Sequence, residues 1–335
     1  MNKEERIQTV LAGKTPDRLP VAVWRHFSEA DYDPVLLAQA QIDFVTKYDY
    51  DFVKMMPVGL YSVEDLGAKV HFYKKRAQPA VAERYGINSI DDYQKLAVVD
   101  VLQGTYGRQL QFANYLAKHL PKNTPFIQTI FSPLTTLHKL AGDRLLDDLR
   151  TAPEAVEHAL GVISEITADF VKFNIAAGVS GFFFATQEAR KSILDPQQLR
   201  RFAIPYDKQV IAEYADKTWF NVLHIHGLDI YFDELLDYPA NVLNWHDRNT
   251  EPSIAQAKKK TGKTLLAGIR AEHHLVNGKL VFDDIVRDGT PDAIIRHVRE
   301  AIDEAGGSFI VGPGCVVSQV SPDENLRAVR RAVEL

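Results

Sequence analysis

His224 and His226 stand two residues apart in the run WFNVLHIH. On a strand, residues i and i+2 face the same side, so both imidazoles point one way. Imidazole is a common zinc ligand and a cysteine thiolate is another. The only cysteine, Cys315, follows the last β-rich run of the chain. Three such ligands with a fourth position open make a catalytic rather than a structural zinc site. Glu188 offers either a fourth ligand or a group behind the ligands. The competing reading keeps one histidine as a hydrogen-bonding core residue and Cys315 as a small buried hydrophobe. A second cluster, Asn244-Trp245-His246-Asp247, ends another run. A strand-end histidine beside an aspartate suits an oriented general acid or base, and Asp247 suits equally the cap of a following helix. Arg25, Lys54 and Arg270 are candidates for holding a carboxylate or phosphate, the guanidinium bidentately. His26, Gln128 and Gln187 add neutral polar groups at the same kind of position.

These residues share a place in the pattern. Eight short β-rich runs alternate with helical segments: 19–26, 52–57, 126–131, 181–186, 219–226, 241–246, 264–269 and 308–312. Several are continuously apolar, as strands covered by helices on one side and a core on the other must be. Between them, segments 34–47, 153–177, 196–216, 253–261, 291–305 and 322–333 carry apolar residues at the helical period. Four start on a proline preceded by Asp, Thr or Ser, a helix-start signal (Asp33-Pro34, Asp195-Pro196, Thr290-Pro291, Ser321-Pro322). Eight strands with intervening helices predict an α/β fold, a closed (β/α)8 TIM barrel, and no GxGxxG follows the first strand to favour a dinucleotide-binding sheet. In such barrels the chemistry sits at the carboxyl ends of the strands, where the residues above fall. The regularity breaks once, in an extended insertion between the second and third strands (58–125). It reads as a hairpin at KVHFYKKRA and two helices near 89–95 and 106–119, placed to wall the site. With no repeat or linker in view, residues 1–335 read as one domain.

Composition narrows the partners. The net charge of −5 and the absence of any dense Lys/Arg block argue against nucleic acid or an anionic membrane. Lys258-Lys259-Lys260 reads as a solvated helix end. One cysteine excludes an internal disulfide framework. The opening MNKEERIQTVLAG reads as an amphipathic helix rather than a leader, which together predict a cytoplasmic protein without a membrane anchor.

The stretch ERIQTVLAGKTPDRLPVAVW resembles the opening of the uroporphyrinogen decarboxylase family. So do LDPQQLRRFAIPYDKQV, the section LHIHG…NWHD…GKTLLAGI, and the tail GGSFIVGPGCVVSQVSPDENLRAV. These segments span nearly the whole chain in order, and the resemblance implies a (β/α)8 barrel, with pairing into homodimers. One branch of the superfamily decarboxylates uroporphyrinogen without a cofactor, using an arginine-rich RQAGRY segment and a central aspartate. Here Trp24-Arg25-His26-Phe27-Ser28 stands for the first and Val53-Lys54-Met55-Met56 for the second. The family tyrosine is missing from SPLTTLHK, and Pro313 replaces the histidine of a GHG turn. The other branch comprises cobamide-dependent methyltransferases acting on thiols. For these the resemblance implies zinc on His-x-Cys after the fifth strand and Cys after the eighth, matched here by His224, His226 and Cys315. Exchanging the middle thiolate for a neutral imidazole leaves the metal more positive. A bound thiol would then ionise more readily but be held tighter, and water or a hydroxyl would also be activated.

The leading expectation is therefore a zinc-dependent methyltransferase. His224, His226 and Cys315 bind the metal, His246 or Asp247 handles the proton, and the basic residues hold a small anionic substrate. A corrinoid methyl donor would come from a separate protein. The alternatives are a cofactor-independent decarboxylase of uroporphyrinogen or another polycarboxylate, and a non-catalytic tetrapyrrole- or corrinoid-binding protein.

Overall fold

A computed structural model of the chain describes residues 1–276 and 279–334. Seven parallel strands form the central sheet in the order Val53–Lys54, Phe126–Phe131, Gly181–Thr186, Val222–Ile225, Val242–Trp245, Thr264–Ile269 and Phe309–Pro313. The first predicted run supplies the closing stave, although only Val21 is bridged, to Val311. Ala22 N–H donates to Val311 O (3.0 Å) and Val311 N–H to Pro20 O (2.9 Å) on one side, while Asp51 N–H donates to Val21 O (2.8 Å) on the other. Pro20 has no N–H to give a ladder, which shortens this stave. The predicted (β/α)8 barrel is thus present. Four of its strands are buried at every position over six residues or five, so the alternation of polar and apolar residues seen in half-exposed sheets is absent.

The helix-start signals correspond to real caps. Asp33 accepts from Val35 and Leu36 N–H, Asp195 from Gln197 and Gln198, and Thr290 from Ala293. At the fourth, Pro322 is itself the cap of the helix Asp323–Arg331. The segment expected as one helix over 196–216 is three pieces: Pro196–Gln198, a π-helical turn Leu199–Ala203, and Ile204–Ala212. Pro205 cannot donate to the carbonyl four residues back, so the ladder must widen there.

The insertion forms the expected hairpin, Lys69–His71 against Val81–Arg84, and the two expected helices, Ile90–Lys95 and Gly104–His119. Its tip reaches across the mouth: Arg76 Nε and Nη2 donate to Gln319 O (3.0 and 2.6 Å), and Ala77 N–H donates to Gln319 Oε1 (3.0 Å). Two features were not expected. Helices Pro133–Ala141 and Arg144–Thr151 follow the Phe126–Phe131 strand, and an antiparallel pair, Ala271–Val276 with Lys279–Asp284, follows Thr264–Ile269. Both bring residues to the site. Among the described residues, no helix is long and apolar enough to cross a membrane.

Candidate metal and substrate site

The carboxyl ends of the strands surround a cavity of about 160 Å³, walled by Trp24, Phe131 and Phe183 and lined by His26, Lys54, Lys139, Gln187, His224, His226 and Cys315. His224 occupies the third position of the Val222–Ile225 strand and His226 follows its end. The ring of His224 stacks on Phe183 with centroids 5.0 Å apart. Its Nδ1 lies 2.6 Å from Asn244 Oδ1. The side-chain nitrogen of Asn244 donates to Leu266 O (2.6 Å) and Pro313 O (3.1 Å), which fixes the amide with its oxygen toward the imidazole. His224 must therefore carry its proton on Nδ1 and leave a lone pair on Nε2. Burial, with His226 and Lys54 nearby, holds its pKa well below the usual histidine range, so the ring is neutral.

His246, the residue after the neighbouring Val242–Trp245 strand, brings the third imidazole. Its Nδ1 contacts the Glu272 carboxylate, and its Nε2 lies 3.1 Å from His226 Nδ1. One nitrogen from each of His224, His226 and His246 falls within 4.8 Å of the others. The Cys315 sulfur is 3.8 Å from the same His226 Nδ1. Gly314 permits that approach, because a Cβ there would stand 2.8 Å from His246 Cα and 2.9 Å from Trp245 O. Burial pushes the Cys315 thiol pKa up, and Lys54 opposes this in part.

Two ammonium groups face the cavity. Lys54 Nζ lies 4.5 Å from the Phe183 ring centre and 2.8 Å from Met56 Sδ. Lys139 Nζ sits 3.2 Å from the Phe131 ring centre and donates to Gly59 O at 2.9 Å. Burial lowers both pKa values to about 7. Among the described residues neither forms an ion pair with a carboxylate, although Glu188 acts on Lys139 electrostatically from farther off, so an anion entering the cavity would find charge only partly compensated.

Of the residues singled out from sequence, His26, Lys54, Gln187, His224, His226 and Cys315 meet at this cavity. Five others do not join them. Arg25 turns outward over the rings of Phe27 and Phe44, donates to Gln319 O, and lines a separate small crevice under the helix Pro34–Tyr48. Gln128 alternates to the helix-facing side of its strand and donates to Asn174 Oδ1. Glu188 is taken by Thr135 and by His138, whose Nδ1 is 3.1 Å away, so its carboxylate serves these two rather than the imidazole cluster. Asp247 faces the next strand, accepting from Gly268 N–H at 3.2 Å and lying 3.1 Å from Arg248 Nε. Its burial raises the pKa to about 7, yet the carboxyl group is not part of the cavity wall. Arg270 pairs with Asp283 at 2.9 Å on the following strand pair.

Sequence reading missed Lys139, Asn244 as the partner of His224, and Glu272. A signal for Asn244 existed: Asn244-x-His246 repeats the i, i+2 spacing of His224-x-His226, and the register sets Asn244 directly beside His224. Lys139 and Glu272 lie on the two elements that had not been expected.

A model of the family described as uroporphyrinogen decarboxylase (URO-D) matches residues 2–335. The methylcobamide:CoM methyltransferase MtbA of Methanosarcina acetivorans is 22% identical over 252 residues, 75% of this chain and 70% of that protein. A methylated-thiol–coenzyme M methyltransferase of Methanosarcina mazei is 24% identical over 275 residues, 80% of this chain and 68% of that protein. Among solved structures, a methyltransferase from Methanosarcina mazei matches with a TM-score of 0.81 at 17% identity, covering 100% of this chain and 98% of that one. A B12-independent methionine synthase from Shewanella sp. W3-18-1 matches with a TM-score of 0.57 at 12% identity, covering 94% and 91%. Matched by the family model from its second residue to its last, this chain belongs to the uroporphyrinogen decarboxylase (URO-D) family.

Proposed function

We propose that this chain is a zinc-dependent methyltransferase, in which His224, His226 and Cys315 hold the metal and the cavity receives a small thiol or hydroxyl acceptor bearing an anionic group. The observation that carries this reading is the gathering of one nitrogen from each of His224, His226 and His246 within 4.8 Å at the mouth, with the Cys315 sulfur 3.8 Å from His226 Nδ1. The donor set fits zinc. Asn244 fixes the tautomer of His224 so that a lone pair is left for a metal, and neutral imidazole and thiolate are ligands zinc prefers. Bound there, zinc would lower the pKa of the acceptor's S–H or O–H and so supply a nucleophile near neutral pH.

The protein's own residues do the rest. Lys54 and Lys139 offer charge to the acid group of the acceptor, and Gln187 and His26 line the cavity beside them. Trp24, Phe131 and Phe183 exclude water, which strengthens both interactions. The relatives named as methylcobamide:CoM methyltransferases support a methylcobamide donor, which a separate corrinoid protein would present at the mouth. The cavity also weighs against readings that need a whole tetrapyrrole inside it: about 160 Å³ is below the roughly 300 Å³ at which pockets begin to hold drug-sized ligands. A buried thiol with no partner cysteine is consistent with a reducing, cytoplasmic setting.

The test uses protein purified without a histidine tag. It should contain about one zinc per chain and demethylate methylcobalamin in the presence of coenzyme M, followed by absorbance. Cys315→Ala should bind the metal more weakly and lose transfer. A protein that stays metal-free under zinc-replete conditions would overturn the proposal.

A further inference from the structure

We infer that His246 is itself a metal donor, closing the site as three imidazoles and one thiolate, and that Glu272 is the residue that positions it. The inference rests on the zinc reading above and changes the site it describes. Two nitrogens about 2.0–2.1 Å from one tetrahedral zinc stand about 3.3 Å apart, and a nitrogen and a sulfur about 3.6 Å apart. His246 Nε2 and His226 Nδ1 are 3.1 Å apart, and Cys315 Sγ is 3.8 Å from the same Nδ1. These two separations need little adjustment to share one ion, and the Cys315 sulfur, outside the 4.8 Å group of the three imidazoles, must draw in toward His224 and His246 to complete the shell. The same 3.1 Å also suits an N–H···N hydrogen bond between the rings, so the inference needs a reason for a lone pair on His246 Nε2.

Glu272 gives that reason. It is 4% exposed, on the strand Ala271–Val276, and its carboxylate contacts His246 Nδ1. A carboxylate accepts only from an N–H, which places the ring proton on Nδ1 and the lone pair on Nε2, facing the cluster. Asn244 does the same for His224 from the neighbouring side. Two of the three imidazoles are thus held by a buried partner in the tautomer a metal requires, an arrangement typical of metal-bound histidines. His246, set at the end of a strand for proton transfer by sequence reasoning alone, is instead aimed at the metal position. With four donors the tetrahedral shell is full, so an acceptor enters by displacing one of them or by expanding the shell to five.

The experiment titrates metal-free protein with Co²⁺ and reads the visible absorption, which reports coordination number and sulfur ligation without turnover. Wild type should bind one equivalent with an intense four-coordinate spectrum. His246→Ala should lose at least tenfold in affinity and change the band shape. Glu272→Gln, which keeps the volume, should lose about 10–100-fold. X-ray absorption of the zinc-loaded wild type should count three imidazoles and one sulfur, an answer that does not depend on either variant folding. Co²⁺ binding with an unchanged affinity and spectrum in His246→Ala, or a count of two imidazoles, would overturn this inference and leave the zinc reading standing. No binding by wild type would remove both.

Discussion

The two ends of the barrel spend charge in opposite ways. At the amino end, Asp51 is fully buried and satisfied: Arg6 Nη1 (2.7 Å), Arg18 Nη1 and Nη2 (2.6 and 3.0 Å) and Val21 N–H (2.8 Å) all donate to it. Arg6 is further held by Asp17 through Nε and Nη2, both at 2.8 Å. At the carboxyl end, Lys54 is buried and Lys139 half-buried, and they rest on a sulfur, a carbonyl and aromatic rings. A charge saturated by its own protein ties the first stave to the second and has nothing left for a ligand. A charge buried without a counter-ion costs stability until something anionic arrives. The contrast assigns stability to the floor and binding to the mouth, the division barrels of this kind show generally.

The largest effect should come from breaking the floor. Asp51→Ala removes the buried acceptor shared by Arg6, Arg18 and the Val21 N–H, and should destabilise by about 3–5 kcal/mol in urea unfolding. Metal content per folded chain should not change, since Asp51 lies at the opposite end of the strands from His224. The mouth should answer the other way. Lys139→Met keeps length and apolar contact with Phe131 while removing a half-buried cation that forms no ion pair among the described residues, so stability should hold or rise by about 1–2 kcal/mol. KM for an anionic acceptor should rise about tenfold, the equivalent of about 1.4 kcal/mol, whereas a neutral thiol of the same length should be little affected. A loss of stability in Lys139→Met as large as that in Asp51→Ala would erase the contrast.

The barrel was legible because its signals are local and repeated: apolar runs, proline-led helix starts and polar strand ends. The site was legible only where one strand carried its own pattern, as His224 and His226 do. The outward turn of Gln128 follows from strand alternation, but sequence does not say which side is which until a partner such as Asn174 is seen. Lys139 and Glu272 come from a nine-residue helix and an antiparallel pair that interrupt the strand-helix alternation, and reach the site through tertiary contacts; the Ser132-Pro133 start of that helix was a readable signal. Glu188, Asp247 and Arg270 fell on the right end of the barrel and found partners in the wall, to which their charges are committed.

A pH series sharpens the same comparison. The Lys139 pKa falls from its ordinary 10.5 to about 7 by burial, so between pH 7 and about 10 the unfolded chain binds more protons at this residue than the folded one. Stability carried by Lys139 is therefore present in full above pH 10.5 and is lost as pH falls toward 7. Unfolding free energies measured from pH 7 to 10 should rise more steeply for wild type than for Lys139→Met. Asp51→Ala should retain the wild-type slope over that window, because the lysine is untouched. Equal slopes in wild type and Lys139→Met would mean that the mouth ammonium is solvated or paired, and would remove the reason for expecting an anion there.

A last test falls on Glu188, a buried mouth carboxylate that behaves like the floor. Its hydrogen bond raises the pKa of His138, burial opposing this only in part, so the pair stabilises the fold most where His138 is protonated. That stabilisation is complete below the unfolded histidine pKa of about 6.5 and is lost as pH rises through the raised folded value. Glu188→Gln should cost about 1.5–3 kcal/mol at pH 5.5, the range for a hydrogen bond to a charged group, and clearly less at pH 8.5. Zinc stoichiometry should stay at the wild-type level throughout, because the carboxylate is spent on Thr135 and His138 rather than on the imidazole cluster. Loss of metal in Glu188→Gln would instead make it a ligand, and the line between paired wall charges and unpaired mouth charges would have to be redrawn to include it.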